Sequence, residues 1–302
     1  MTPPAALEAE LQRYALRTGS MPASAPIRDL LAPYVLTPIG GGVFHRVYRV
    51  TGTPWVVKEG RWHLSIPIHC WSFPVHARLI HPLLAAWGSG CKPTAREAQR
   101  QYEHYLVFAE YLGHFDTLPD AYPDGQVLAR TQRLIRDSLP QALTRIEAYY
   151  GRRLPPSVQR IVDSPLRLHN FLPREYLLFG TSLDAGEHTS FLFQEFTEGT
   201  PLHDIDVPTL APQRRDEMIL LSVLLLLLRM ETGIVPDTRP RDFLLHHDWF
   251  TKTDNILVGP HGVTMVDTRW FWESRENVIR RGIVLPEWIA RCLWKYLGNA
   301  GW

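Results

Sequence analysis

Asn255-Ile256-Leu257-Val258-Gly259-Pro260-His261-Gly262-Val263-Thr264-Met265-Val266-Asp267 is the stretch from which the rest of the chain takes its meaning. Two short apolar runs, Ile256 to Val258 and Val263 to Val266, flank a turn of glycine and proline, which predicts a β-hairpin. An amide stands at the mouth of the first run and a carboxylate at the end of the second. A hairpin would hold these two hard oxygen donors close together, an arrangement that suits a magnesium ion carrying phosphates. Taken alone, the stretch reads more readily as a surface hairpin with ordinary polar ends, because such hairpins are common. The remainder of the chain decides between the two.

The 302 residues are enough for one large domain or two lobes with a real core. An apolar content of 45% and a charged content of 21% are globular values. Lys and Arg number 32 against 31 Asp and Glu, a formal charge of +1, so neither a nucleic-acid-binding field nor a polybasic membrane tail is implied. Three cysteines, Cys70, Cys91 and Cys292, do not form a disulfide framework and point to a reducing cytoplasm. The first residues lack the basic and apolar regions of a signal peptide. The most apolar run, near Met218 to Leu228, is too short for a membrane span and predicts a buried core helix.

Leu7, Leu11, Tyr14 and Leu16 space a short amphipathic helix over residues 4–17, followed by a loop from Gly19 to Pro26. Tyr34 to Leu36, Val43 to Val50 and Trp55 to Val57 are β-type runs separated by Gly40-Gly41-Gly42 and by Thr51-Gly52-Thr53-Pro54, which predicts three antiparallel strands. Residues 61 to 93 mix aromatic residues, prolines and histidines. The spacing of His63, His69, Cys70, His76 and Cys91 matches no zinc pattern, so packing of an irregular connector is expected. Thr94 predicts the cap of a helix ending at Leu112 and Gly113. Helices follow from Val127 to Tyr149 and from Ser157 to Val162, within a segment of about 114–170 read as an insertion with few apolar residues of its own. Strands are expected from Tyr176 to Phe179 and from Ser190 to Phe196, then a long apolar helix from Pro212 to Glu231, and a last helix from Pro286 to Leu297.

Several of these pieces carry chemistry together. A glycine turn at Gly40, Gly41 and Gly42 lets backbone N–H groups approach phosphate oxygens without obstruction by Cβ, although the same turn also serves a plain hairpin. Lys58 closes an apolar strand 18 residues after Gly40, within reach of phosphates lying under such a loop; an exposed strand-end lysine is the alternative. Glu103, with Glu97 second, is the candidate carboxylate to hold that lysine, and either could instead be a solvated helix charge. Phe191 to Phe196 runs into the linker Thr197-Glu198-Gly199, an edge at which backbone groups can read an adenine ring.

In this order the motifs resemble the protein-kinase-like superfamily. Gly40-x-Gly42-x-Phe44-x-x-Val47-Tyr48 is similar to the kinase glycine loop, with His45 where the third glycine usually stands. Val56-Val57-Lys58 resembles the lysine strand. The resemblance implies Gln194 as gatekeeper, Glu195 to Thr197 as hinge, and Asn255 and Asp267 as ligands of Mg²⁺ that accompanies ATP. It covers about residues 34–112 and 171–270. The implied fold is α+β and two-lobed, with an N-lobe antiparallel sheet plus helix over 34–198, a helical N-terminal extension over 1–33, and a reduced helical C-lobe over 199–302.

The sequence departs from the family in two places. The catalytic-loop Asp should stand five residues before Asn255, where Phe250 occurs; Asp237 and Asp248 are the alternatives for positioning an acceptor hydroxyl. The short C-terminus carries no Asp-Phe-Gly glycine and no Ala-Pro-Glu, so the second lobe is more like that of RIO-type or small-molecule kinases. Two functions follow from the resemblance. One is an ATP-dependent phosphotransferase acting on a small molecule or protein. The other is a pseudokinase, a nucleotide-binding or scaffolding module without transfer.

Overall fold

The structure is a computed structural model, and it describes residues 4–20, 22–41, 45–61, 93–113, 125–150, 153, 156–162, 169–184, 186–206, 209–232, 235–236, 255–268 and 270–271. Helix α1 (Pro4–Tyr14), strand β1 (Ser24–Ala25) and helix α2 (Ile27–Leu31) precede strands β2 (Leu36–Gly41), β3 (His45–Val50) and β4 (Trp55–Gly60). Helices α3 (Ala95–Leu112), α4 (Gly125–Tyr150) and α5 (Pro156–Val162) follow, then strands β5 (Glu175–Thr181), β6 (His188–Glu195) and β7 (Thr200–Pro201). The remaining elements are helix α6 (Pro212–Thr232), strand β8 (Val235–Pro236), the pair β9 (Ile256–Gly259) and β10 (Gly262–Met265), and β11 (Trp270–Phe271). This is an α+β protein. The helix expected from Pro286 to Leu297 and the connector from 62 to 92 lie outside the described residues.

Two compact units divide the chain. The first comprises Met1–His104, Asp120–Gly125 and Pro173–Phe196; the second comprises Tyr105–Pro119, Gln126–Leu172 and Thr197–Trp302. That grouping differs from the expected boundaries in two respects. Residues 1–33 are not an appendage, because Leu7, Leu11 and Ile27 pack with Trp55, Val57, Tyr176, Leu178, Phe191 and Phe193 in one buried cluster. Residues 126–172 are not an insertion in the sheet-bearing unit, and they are not poor in core. Leu128, Leu139, Leu143, Ile146, Val158 and Ile161 are all buried.

The first unit is organised on a six-stranded sheet of order β1-β5-β6-β4-β3-β2. From β5 to β2 every neighbour is antiparallel, and β2, β3 and β4 are the three antiparallel strands that the β-type runs predict. The expectation of a purely antiparallel sheet is corrected at one edge. Ser24 and Ala25, read as loop, pair parallel with Phe179 and Gly180 of β5. Two residues with no apolar run leave no strand signal. What makes room for them is Gly180, where a Cβ would come within 2.6 Å of the Ala25 carbonyl oxygen.

One face of this sheet is the core face. Trp55 and Val57 of β4 alternate with Val56 and Lys58, so the period of two sends the first pair toward the helices and the second pair to the other face. The indole of Trp55 packs at 5.3 Å from the Tyr176 ring. Glu8 of α1 accepts from Arg174 at 2.5 Å, and Arg174 also reaches Glu195 at 3.5 Å.

In the second unit α6 supplies the buried apolar run anticipated from Met218 to Leu228. The Tyr111 hydroxyl donates to Glu231 at 2.9 Å, and Arg145 pairs with the same carboxylate at 2.7 Å. Among the described residues no helix is long and apolar enough to cross a membrane.

Candidate functional site

The opening hairpin forms as its sequence predicts. Val263 faces Val258 and Met265 faces Ile256, with a tight turn at Pro260 and His261 between Gly259 and Gly262. At the open end the Val266 N–H donates to the Asn255 carbonyl at 2.8 Å. The side chains of Asn255 and Asp267 meet there, Nδ2 of the amide donating to Oδ2 of the carboxylate at 3.5 Å. Asn255 is buried and Asp267 half-buried. Among the described residues no group of three or more His, Cys, Asp or Glu side chains is placed to hold a metal. A hard cation here would therefore take Oδ1 of Asn255 and the Asp267 carboxylate and complete its shell with water and phosphate oxygens, the habit of magnesium.

In the first unit Gly40, Lys58 and Gln194, singled out from sequence, share one face of the sheet, whereas Gly41 and Glu195 fall in the rows of Glu59 and Trp55 on the core face. Gly40, Val47, Lys58, Leu192 and Leu177 form a single cross-strand row, since each pairs with the next. Gly40 and Lys58 are thus two strand spacings apart, about 10 Å. Arg49, Val56, Gln194 and Glu175 form the adjacent row on the same face. Gln194 is buried and its amide nitrogen donates to the buried Glu175 carboxylate. Gly40 and Gly41 sit in the exposed edge strand β2, whereas Gly42 lies outside the described residues. A Cβ on Gly40 would meet nothing, while one on Gly41 would come to 3.2 Å from the His45 carbonyl oxygen.

The two candidate lysine partners have different settings. Glu103 is exposed on α3. Glu97 is buried in the first turn, where its carboxylate accepts from the Thr94 N–H at 3.0 Å and from the Thr94 hydroxyl at 3.2 Å, a capping box. The start of α3 is also close to the lysine's face. Gly60 shares that face with Lys58, and a Cβ on Gly60 would come within 3.0 Å of Pro93, the residue before the cap. Glu103 is six residues further along, about 9 Å of helix rise.

At the hinge, the Glu195 N–H donates to the Arg174 carbonyl at 2.9 Å and the Phe196 N–H to that of Pro54 at 2.7 Å. Thr197, the next residue of the linker, is half-buried. Asp237 and Asp248 both lie outside the described residues.

The sequence reading passed over a cluster behind the hairpin in the second unit. Glu217 of α6 is buried, and its Oε2 accepts from the Val263 N–H at 3.0 Å. Its Oε1 accepts from Arg214 at 2.5 Å and from Gln213 at 3.2 Å. Arg214 donates as well to the Pro260 carbonyl at 2.6 Å, and the His169 ring meets the Val263 carbonyl at 3.0 Å. The available signal was an acidic pair, Asp216 and Glu217, standing directly before an apolar run broken only by Ser222. Glu59, next to Lys58 but on the core face, was passed over too; it accepts from Ser182 at 2.6 Å and from the Leu183 N–H at 2.9 Å.

Comparison with known proteins finds no match: no family model, no curated protein and no solved structure matches this chain.

Proposed function

We propose that this chain is a Mg-ATP-dependent phosphotransferase with a two-lobed, kinase-like fold and a reduced second lobe. The observation that carries it is the sheet face of the first unit. There Lys58 lies in one row with Gly40 of the glycine strand, and Val56 pairs with Gln194 on the strand that runs into the linker. Phosphoryl transfer is mainly positioning and electrostatics, and it needs a lysine on the phosphates, a metal and an oriented acceptor. Lys58 would orient the phosphates. Glu97, buried at the start of α3, is better set than Glu103 to hold Lys58. Gln194, Glu195 and Thr197 would border the base, and Asn255 and Asp267 would hold Mg²⁺.

Asp237 is favoured over Asp248 as the group that positions the acceptor hydroxyl. Strand β8 ends at Pro236, directly before Asp237, and pairs with β11, which begins three residues after Asp267 (270 − 267 = 3). The acceptor is a small molecule or a protein not docked in the conventional peptide manner. A pseudokinase is the second reading, favoured by His45, which stands opposite Gly60 where the family resemblance expects a third glycine.

Thermal denaturation with millimolar Mg-ATP tests both. Wild type is expected to be stabilised, by about 2.7 kcal/mol if the nucleotide is at a hundred times its Kd, and Lys58→Ala to lose most of the effect. Absence of stabilisation in wild type overturns nucleotide binding altogether. Binding with no turnover of ATP, unaltered by Asp237→Ala and Asp248→Ala, favours the module without transfer.

A further inference from the structure

A strand at the edge of a sheet leaves every second N–H and C=O without a ladder partner. Strand β10 is such an edge, in a three-stranded sheet of order β10-β9-β7. Its outward groups are nevertheless engaged, and by residues from two distant segments. The Val263 N–H is held by the Glu217 carboxylate, the Val263 carbonyl by the His169 ring, and the Met265 N–H by the Phe171 carbonyl at 2.7 Å. Gly262 lets this happen. It has a φ of 140°, and a Cβ there would overlap the His169 ring and come to 3.3 Å from Glu217 Oε2.

A charged acceptor on a buried amide is stronger than a neutral one, and burying a carboxylate is tolerated only when its oxygens are paired. Glu217 meets that condition in full, with Arg214 and Gln213 on one oxygen and the Val263 amide on the other. Arg214 also ties the turn at Pro260 to the same helix. The distal strand of the hairpin is thus bolted to α6 four residues before Asp267 (267 − 263 = 4).

We propose that Glu217 is a positioning residue for the cation pair. Through the Val263 amide, with Arg214 and His169 beside it, it fixes β10 so that Asp267 stays against Asn255 and both oxygens can meet one divalent cation. This rests on the phosphotransferase proposal, and it adds a residue that touches neither metal nor nucleotide. Substitution of Glu217 should therefore weaken magnesium while sparing the metal-free affinity for nucleotide, a split that general loosening of the fold does not produce.

The test is a magnesium titration of ADP binding by calorimetry on the full chain, with hydrogen exchange of residues 256–266 measured without ligand. Glu217→Ala is expected to raise the half-saturating magnesium concentration about tenfold, to leave ADP affinity in EDTA within twofold of wild type, and to speed exchange of the hairpin. Glu217→Gln, whose amide oxygen still accepts from Val263, is expected to recover most of the magnesium affinity. Should Glu217→Ala fail to fold, His169→Ala replaces it, with an expected rise of about threefold and faster hairpin exchange. Magnesium affinity equal to wild type in a folded Glu217→Ala or His169→Ala chain overturns the positioning role, as does failure of Glu217→Gln to recover affinity. Wild type that binds no ADP with magnesium overturns the phosphotransferase instead, a result separate from any behaviour of the variants.

Discussion

His104 shows how one residue's setting becomes a property of the whole protein. Burial, assisted by the nearby Arg100 guanidinium, lowers its pKa from 6.5 to about 3. The native imidazole therefore stays neutral over a range in which the unfolded chain takes up a proton. Stability from this source is complete above pH 6.5 and falls as the pH drops toward 3, because the unfolded state binds more protons there. The slope is at most about 1.4 kcal/mol per pH unit. Urea denaturation at pH 7.5 and pH 5 is expected to show a loss of about 2 kcal/mol in wild type, much of it absent in His104→Gln.

Helix α3 is the element in which a stability role and a site role stand closest. Thr94 and Glu97 form its capping box, so Thr94→Ala should cost about 1 kcal/mol in chemical denaturation. The same change should lower ADP affinity less than Glu97→Ala does, because it removes one contact to the Glu97 carboxylate and leaves the carboxylate in place. Glu97→Ala is expected to lower both stability and affinity if its buried carboxylate also serves Lys58. At this scale the sequence was informative wherever the local signal was strong. The cap at Thr94, the apolar run of α6, the β-type run of β4 and the turn at Pro260-His261 all correspond to formed elements. It was uninformative where a contact is made across a large separation. Strand β1 has two residues and no pattern, so only Gly180 on β5 gives it a place. Similarly, the choice between Glu97 and Glu103 depends on where the start of α3 meets Gly60, which no local periodicity encodes.

At the scale of the molecule, the N-terminal segment is part of the core of the first unit. Leu7, Leu11, Ala15 and Ile27 are buried with Trp55, Tyr176 and Phe193, and the Leu16 N–H donates to the Leu177 carbonyl at 2.8 Å. Leu11 is fully buried, so Leu11→Ala is expected to cost 2–5 kcal/mol, as such truncations generally do. Its effect on ADP affinity should be small, since the lysine lies on the opposite face of β4. Chemical denaturation and calorimetry on the same preparation check the pair of outcomes.

The sheet order has a consequence for synthesis. Strand β4 is complete at residue 60, but its inner neighbour β6 ends at residue 195, so 135 residues (195 − 60) must be added first. At about 5–20 residues per second the ribosome needs roughly seven to twenty-seven seconds to supply that neighbour. For that interval Trp55, Val56 and Val57 belong to an apolar strand paired on one side with β3 while its partner on the other side has not been made. The nascent chain thus carries an adhesive edge through the middle of its own translation, and a burden on holding chaperones is built into the order of its strands.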